Sequence, residues 1–124
     1  MKTQLNSKKA PGAIGPYSQA VKVGNFIYVS GQLPINAESN TMPDNIKDQT
    51  RQSLENIKAI LAEASCTMDN VVKSTVYLAD MSLFGPMNEV YAEYFSGVFP
   101  ARAAFAVKEL PKQALVEIEV VAYQ

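Results

Sequence analysis

The stretch Leu115-Val-Glu-Ile-Glu-Val-Val-Ala-Tyr123 alternates in character along most of its length. Successive strand residues point to opposite faces of a sheet. It therefore reads as a strand with Val116, Ile118, Val120 and Ala122 on one face and Glu117, Glu119, Val121 and Tyr123 on the other. The first face is aliphatic throughout and needs a cover. The second mixes acids with apolar and aromatic groups. Working outward, the same reading applies to Ala101–Lys108, where Ala103, Phe105 and Val107 oppose Arg102, Ala104, Ala106 and Lys108. In Val71–Ala79, Val72, Val76 and Leu78 oppose Lys73, Thr75 and Tyr77. Two further β-type runs flank Gly24-Asn25, a two-residue hairpin signal, and there Ile27 and Val29 oppose Phe26, Tyr28 and Ser30.

Two helices lie between the strands. Ile46, Thr50, Leu54, Ile57, Leu61 and Ala64 recur at helical spacing, which predicts a helix over about 45–64 with Asn45 as its cap and Asp48 in its first turn. Phe84, Met87, Tyr91, Tyr94 and Phe95 mark a second, with Ser82 as candidate cap and Gly85-Pro86 tolerated in the first turn. The order is hairpin, helix, strand, helix, strand, strand. It predicts an α+β fold, a mixed sheet with both helices on its aliphatic face. The other face carries three tyrosines beside Ala and Val, more aromatic area than a solvated face usually bears, and is expected to meet another subunit. Arg102, Glu117 and Ser30 are expected on that same face.

With 124 residues the chain suffices for one domain, 1–124. Its net charge of -1 offers no basic field for nucleic acid or an anionic membrane. No apolar run approaches the roughly 18–20 residues that span a bilayer, and the N-terminus lacks the apolar core of a signal peptide. The lone Cys66 cannot form an intrachain disulfide; a reducing, cytoplasmic setting is expected. There is no histidine, which excludes Ser-His-Asp and Cys-His catalysis, histidine-ligated zinc and a histidine acid–base ribonuclease. No metal and no organic cofactor is expected.

The remaining chemistry rests on few groups. Only two arginines exist, Arg51 and Arg102. Arg102 stands in an apolar strand directly after Phe99-Pro100, where an unpaired charge would be costly. Two readings are open: an ion pair with Glu117 or Glu119, or a fork for a ligand carboxylate with small alanines leaving room beside it. Either glutamate is a solvated acid, a partner of Lys73 or Lys108, or a group that holds and deprotonates water. Ser30-Gly31 is an ordinary strand end, or a place where a ligand approaches the backbone. Tyr17, after a rigid Gly-Pro, is packing or a lid. Asn88 lies on the second helix.

Taken together, Ala10-Pro-Gly-Ala-Ile-Gly-Pro-Tyr-Ser-Gln-Ala, Val29-Ser-Gly-Gln-Leu-Pro, Gln49-Thr-Arg-Gln-Ser-Leu-Glu-Asn-Ile-Lys-Ala-Ile-Leu, Phe99-Pro-Ala-Arg and Val116-Glu-Ile-Glu-Val-Val-Ala resemble the RidA/YjgF family, in order along essentially the whole chain. The resemblance implies a chorismate-mutase-like fold. It implies a homotrimer with a central β-barrel and sites in the clefts between subunits. It also implies cofactor-free hydrolysis of 2-iminobutanoate, 2-iminopropanoate and 2-aminoacrylate to 2-oxo acids and ammonia. Carried over by motif, Arg102 binds the substrate carboxylate, Glu117 positions the water, and Tyr17, Ser30, Gly31 and Asn88 line the cleft. Ala104 stands where many relatives carry cysteine. The alternatives are a small-carboxylate-binding or regulatory trimer without turnover and, less favoured, an endoribonuclease.

Overall fold

The computed structural model describes residues 1–124. Its strands are β1 (Thr3–Leu5), β2 (Ala20–Val23), β3 (Phe26–Gln32), β4 (Val71–Leu78), β5 (Ala101–Ala106) and β6 (Val116–Tyr123); its helices are α1 (Ile46–Ala62) and α2 (Phe84–Ala92). They form one six-stranded sheet in the order β1-β2-β3-β6-β4-β5. β4 and β5 pair in parallel and every other neighbour is antiparallel. The architecture is the expected α+β mixed sheet. β1 and the short 3-10 turns were not expected from the sequence.

The topology explains why both helices share a face. β3 and β4 run the same way, since each is antiparallel to β6 between them. The α1 connection therefore crosses over, as does α2 between the parallel β4 and β5, and both move in one direction along the sheet. Crossovers of this kind are nearly always right-handed, so helices that travel the same way land on the same side. The aliphatic strand residues meet them there. Val116, Ile118, Val120 and Ala122 pack with Ile27, Val29, Val76 and Leu78 against Leu54, Ile57, Ile60 and Leu61 of α1 and Met87 and Tyr91 of α2.

Local signals act as their chemistry requires. The Asn45 side chain accepts from the Asp48 backbone N–H at 2.9 Å and caps α1. Gly24, at φ +57°, makes the tight turn of the β2–β3 hairpin, where Val23 faces Phe26. Ser82 does not cap the second helix. Asp80 accepts from the Ser82 N–H at 2.8 Å and caps a 3-10 turn over Met81–Leu83, which leads into α2. Asp80 precedes the turn with the extended backbone a cap requires, whereas Ser82 lies inside it.

The opposite face of the sheet is open. Phe26, Tyr28, Phe105 and Tyr123 are 41–47% exposed on it. Phe26 stacks edge-on to Tyr123 at 5.1 Å, and Phe105 edge-on to Tyr77 at 5.6 Å.

Candidate functional site

The register fixes where Arg102 points. On adjacent strands, paired residues share a face, and Arg102 pairs with the fully buried Ser74. Its side chain thus lies on the helix-covered side, at the margin of the sheet, because β5 is an edge strand. This corrects the expectation that Arg102 shares a face with Glu117. Phe105 takes the open side instead, paired with Tyr77.

The guanidinium is held by α2. Phe84, Asn88 and Tyr91 follow the spacing i, i+4, i+7, which brings all three to one stripe of a helix. The Arg102 Cζ lies 4.7 Å from the Tyr91 ring centroid and 5.4 Å from that of Phe84. Nη1 donates to Asn88 Oδ1 at 2.7 Å. Tyr91 is itself tied down, its hydroxyl 2.6 Å from Ser74 Oγ. Burial pushes the Tyr91 phenol up, against the opposing pull of Ser74 and Arg102. The only ion pairs in the chain are Lys47–Glu89 and Arg51–Glu93. Arg102 has no counter-ion, so the structural ion pair with Glu117 or Glu119 is not present. Its other N–H groups make no hydrogen bond within the chain. A guanidinium so oriented, half-buried and unneutralised, is prepared for a planar anion.

A second group of residues gathers at the end of β3. The β3–β6 register breaks between Val29 and Gln32, a bulge at Ser30-Gly31. There Glu117 lies against the backbone: a β-carbon at Gly31 would sit 3.0 Å from the Glu117 carboxyl carbon. Glycine is needed for this close approach. Burial, and then the charge of Glu119, raise the Glu117 carboxyl above the usual range. Ser30 donates to the Ser18 carbonyl at 2.6 Å and is engaged in holding the neighbouring loop. Tyr17 is 53% exposed on that loop. It borders a cleft of about 510 Å³ with Gly31, Gln19 and Leu33, and a hollow of about 460 Å³ with Ser30, Tyr28 and Glu119.

The chain therefore brings Arg102 to Asn88 on one side of the sheet. On the other it brings Glu117 to Gly31, next to Ser30 and Tyr17. Phe84 and Tyr91 complete the first group. They read in the sequence only as a helix's apolar face, and nothing short of the β4–β5 register assigns them to Arg102. No cluster of three or more Cys, Asp or Glu side chains is placed to hold a metal ion. Cys66 is buried in the connection that follows α1.

Comparison with known proteins agrees with the resemblance. Residues 7–124 match the family described as Endoribonuclease L-PSP. The chain belongs to the RidA/YjgF family. Among its Rid-family relatives, a RutC family protein of Pyrococcus horikoshii is 54% identical, covering 100% of this chain and 99% of its own. The mouse 2-iminobutanoate/2-iminopropanoate deaminase is 49% identical over 97% of this chain and 90% of its own. Among solved structures, Escherichia coli TdcF with bound serine superposes with a TM-score of 0.95 at 38% identity, covering 98% of each chain. No helix here is long and apolar enough to cross a membrane.

Proposed function

We propose that this RidA-family chain is a 2-imino acid deaminase, which hydrolyses 2-iminobutanoate and 2-iminopropanoate, with 2-aminoacrylate as the enamine form of the latter. One observation carries the reading: an arginine without a counter-ion, oriented by two rings and an amide, with free donors on its open side. The names of the mammalian relatives and the serine in the TdcF structure point to the same ligand class, small 2-amino or 2-imino acids.

The chemistry needs little more. Arg102 takes the carboxylate through two parallel bonds and fixes the imine carbon in space. Glu117 holds a water and accepts its proton as the oxygen adds to that carbon. The resulting carbinolamine expels ammonia as its C–N bond breaks, leaving the 2-oxo acid. Gly31 lets carboxylate and substrate approach the backbone, Asn88 keeps the guanidinium aligned, and Tyr17 and Ser30 border the cavity. No step calls for a metal or an organic cofactor.

Arg102 and Glu117 of one chain cannot act on one small substrate. They are two strands apart, about 10 Å. By register they are offset three residues along the sheet, about 10 Å more. They also project from opposite faces. The reacting carbon of a 2-imino acid is one bond from its carboxylate. The site is therefore completed by a second copy, as in a homotrimer with clefts between subunits, and the exposed aromatic face supplies the contact. The test is complementation. Arg102→Ala and Glu117→Gln are each expected to be inactive. Co-expressed in equal amounts, they regenerate one intact site in about four if each site draws one residue from each neighbour. No recovery above the separate variants rejects the shared site. Tight binding of small carboxylates by the native protein without ammonia release would assign a ligand-binding module instead.

A further inference from the structure

We propose that Tyr77 and Glu119 are positioning residues of this site: Tyr77 pins Glu119, and the pinned negative charge acts on Glu117. The proposal rests on the reading of Glu117 as the group that deprotonates water.

Glu117 and Glu119 lie two residues apart on β6 and share the open face, so their carboxylates are neighbours. Tyr77 pairs with Glu117 and Thr75 with Glu119 across β4. The Tyr77 ring leans along the strand, and its hydroxyl donates to Glu119 Oε1 rather than to its direct partner. Phe105 meets the Tyr77 ring edge-on, at 86°, and fixes its plane. The phenol, pushed up to about 12 mainly by this hydrogen bond, remains a donor throughout the working range. That bond holds the Glu119 carboxylate in place beside Glu117.

Within the chain no cation answers this charge. Lys73 on β4 and Lys2 near the hollow face the same side, and neither forms an ion pair with either glutamate. From β3 the facing groups are Tyr28, Ser30 and Gly31, none of them a cation. Glu117 thus sits beside a fixed like charge, half-buried against a glycine backbone. Both circumstances favour its protonated form and make it a stronger base when ionised. A base nearer the working pH accepts a proton from water more readily. Tyr77 and Glu119 touch no substrate in this scheme; they act through Glu117.

The experiment compares pH profiles of kcat and kcat/KM in four variants, and the carbon-13 NMR titration of the Glu117 carboxyl in the three that retain it. Glu119→Gln should move the acid limb and the Glu117 titration to lower pH and reduce plateau kcat several-fold, with KM little changed. Tyr77→Phe should move them the same way by less, and serves alone if the first variant does not fold. Glu119→Asp, which retains the charge, should restore the limb towards its native position. A fall in kcat with limb and titration unmoved overturns the proposal, because loosened packing would do that. Glu117→Gln separates the two ideas. Retained turnover there overturns the water-activating role and this proposal with it. Lost turnover there, with an unmoved limb in Glu119→Gln, overturns this proposal alone.

Discussion

If the proposed function holds, replacing Arg102 by alanine removes the fork that orients the substrate. Each charge-assisted bond from a guanidinium to a carboxylate contributes about 1.5–3 kcal/mol net. Two such bonds make about 3–6 kcal/mol, and each 1.4 kcal/mol is a factor of about ten, so kcat/KM should fall by about 10²–10⁴. Arg102→Lys retains a point charge and one bond and should lose about 10–10². The cost to the fold is smaller. The two ring contacts contribute about 0.5–1 kcal/mol each at a partly exposed site, and the Asn88 bond about 1 kcal/mol. The variant should thus remain folded and assembled, at a stability about 2–3 kcal/mol lower. The assay generates 2-iminobutanoate with a threonine dehydratase and follows the acceleration of 2-oxobutanoate release. Thermal melting and size measurement run alongside. An alanine variant that is folded, assembled and still clears the imine at the native rate would refute the assignment of Arg102.

Three other outcomes follow from the same geometry. Gly31→Ala places a methyl group 3.0 Å from the Glu117 carboxyl carbon, in a backbone conformation open to any residue. The flexible carboxylate gives way, so the melting temperature should barely move while kcat drops. Glu117→Gln tests the raised carboxyl through stability. A group whose folded pKa lies above its unfolded value stabilises the fold only when protonated, and that contribution is lost as pH rises through the folded value. At neutral pH ionised Glu117 therefore costs stability. The glutamine variant should melt above the native protein at pH 7, with the difference vanishing below about pH 4. A lower melting temperature at pH 7 would contradict this. Ser53→Ala removes a fully buried hydroxyl with no hydrogen-bond partner from the middle of α1. Alanine also has the higher helix propensity, so urea denaturation should show a gain of about 0.5–1 kcal/mol.

The elements with strong contrast were legible in the sequence. β6 alternates Val116, Ile118, Val120 and Ala122, all buried, with half-buried or exposed partners, and one strand of that kind orients a whole sheet. Asn45 and the periodic Leu54, Ile57 and Leu61 located α1 for the same reason. β5 has no such contrast. Ala101, Ala103, Ala104 and Ala106 look alike on either face, and parity alone says only that Arg102 and Phe105 oppose each other. Phe105 is large enough to suggest the core, yet it lies on the open face against Tyr77. The side of an edge strand is decided by register with its neighbour, a long-range fact. β1 was illegible because three mostly exposed residues, Thr3–Leu5, carry no pattern; pairing to β2 makes the strand. The candidate residues were identifiable one by one, but their division between two faces was not.

That division bears on why an unneutralised arginine is tolerated. At the margin of β5, water solvates one side of the guanidinium while Phe84, Tyr91 and Asn88 hold the other. An internal ion pair would have satisfied the charge and removed the fork from use. In the proposed assembly a second copy closes over this margin and takes away part of the water. Desolvation then raises the cost of leaving the charge unmatched, and a Glu117 already disfavoured as an anion is a poor counter-ion for it. A small carboxylate entering the cleft relieves that cost directly. In that proposal, assembly strengthens the demand for a substrate's acid group at the place where the proposed water-activating glutamate of the neighbouring copy would arrive.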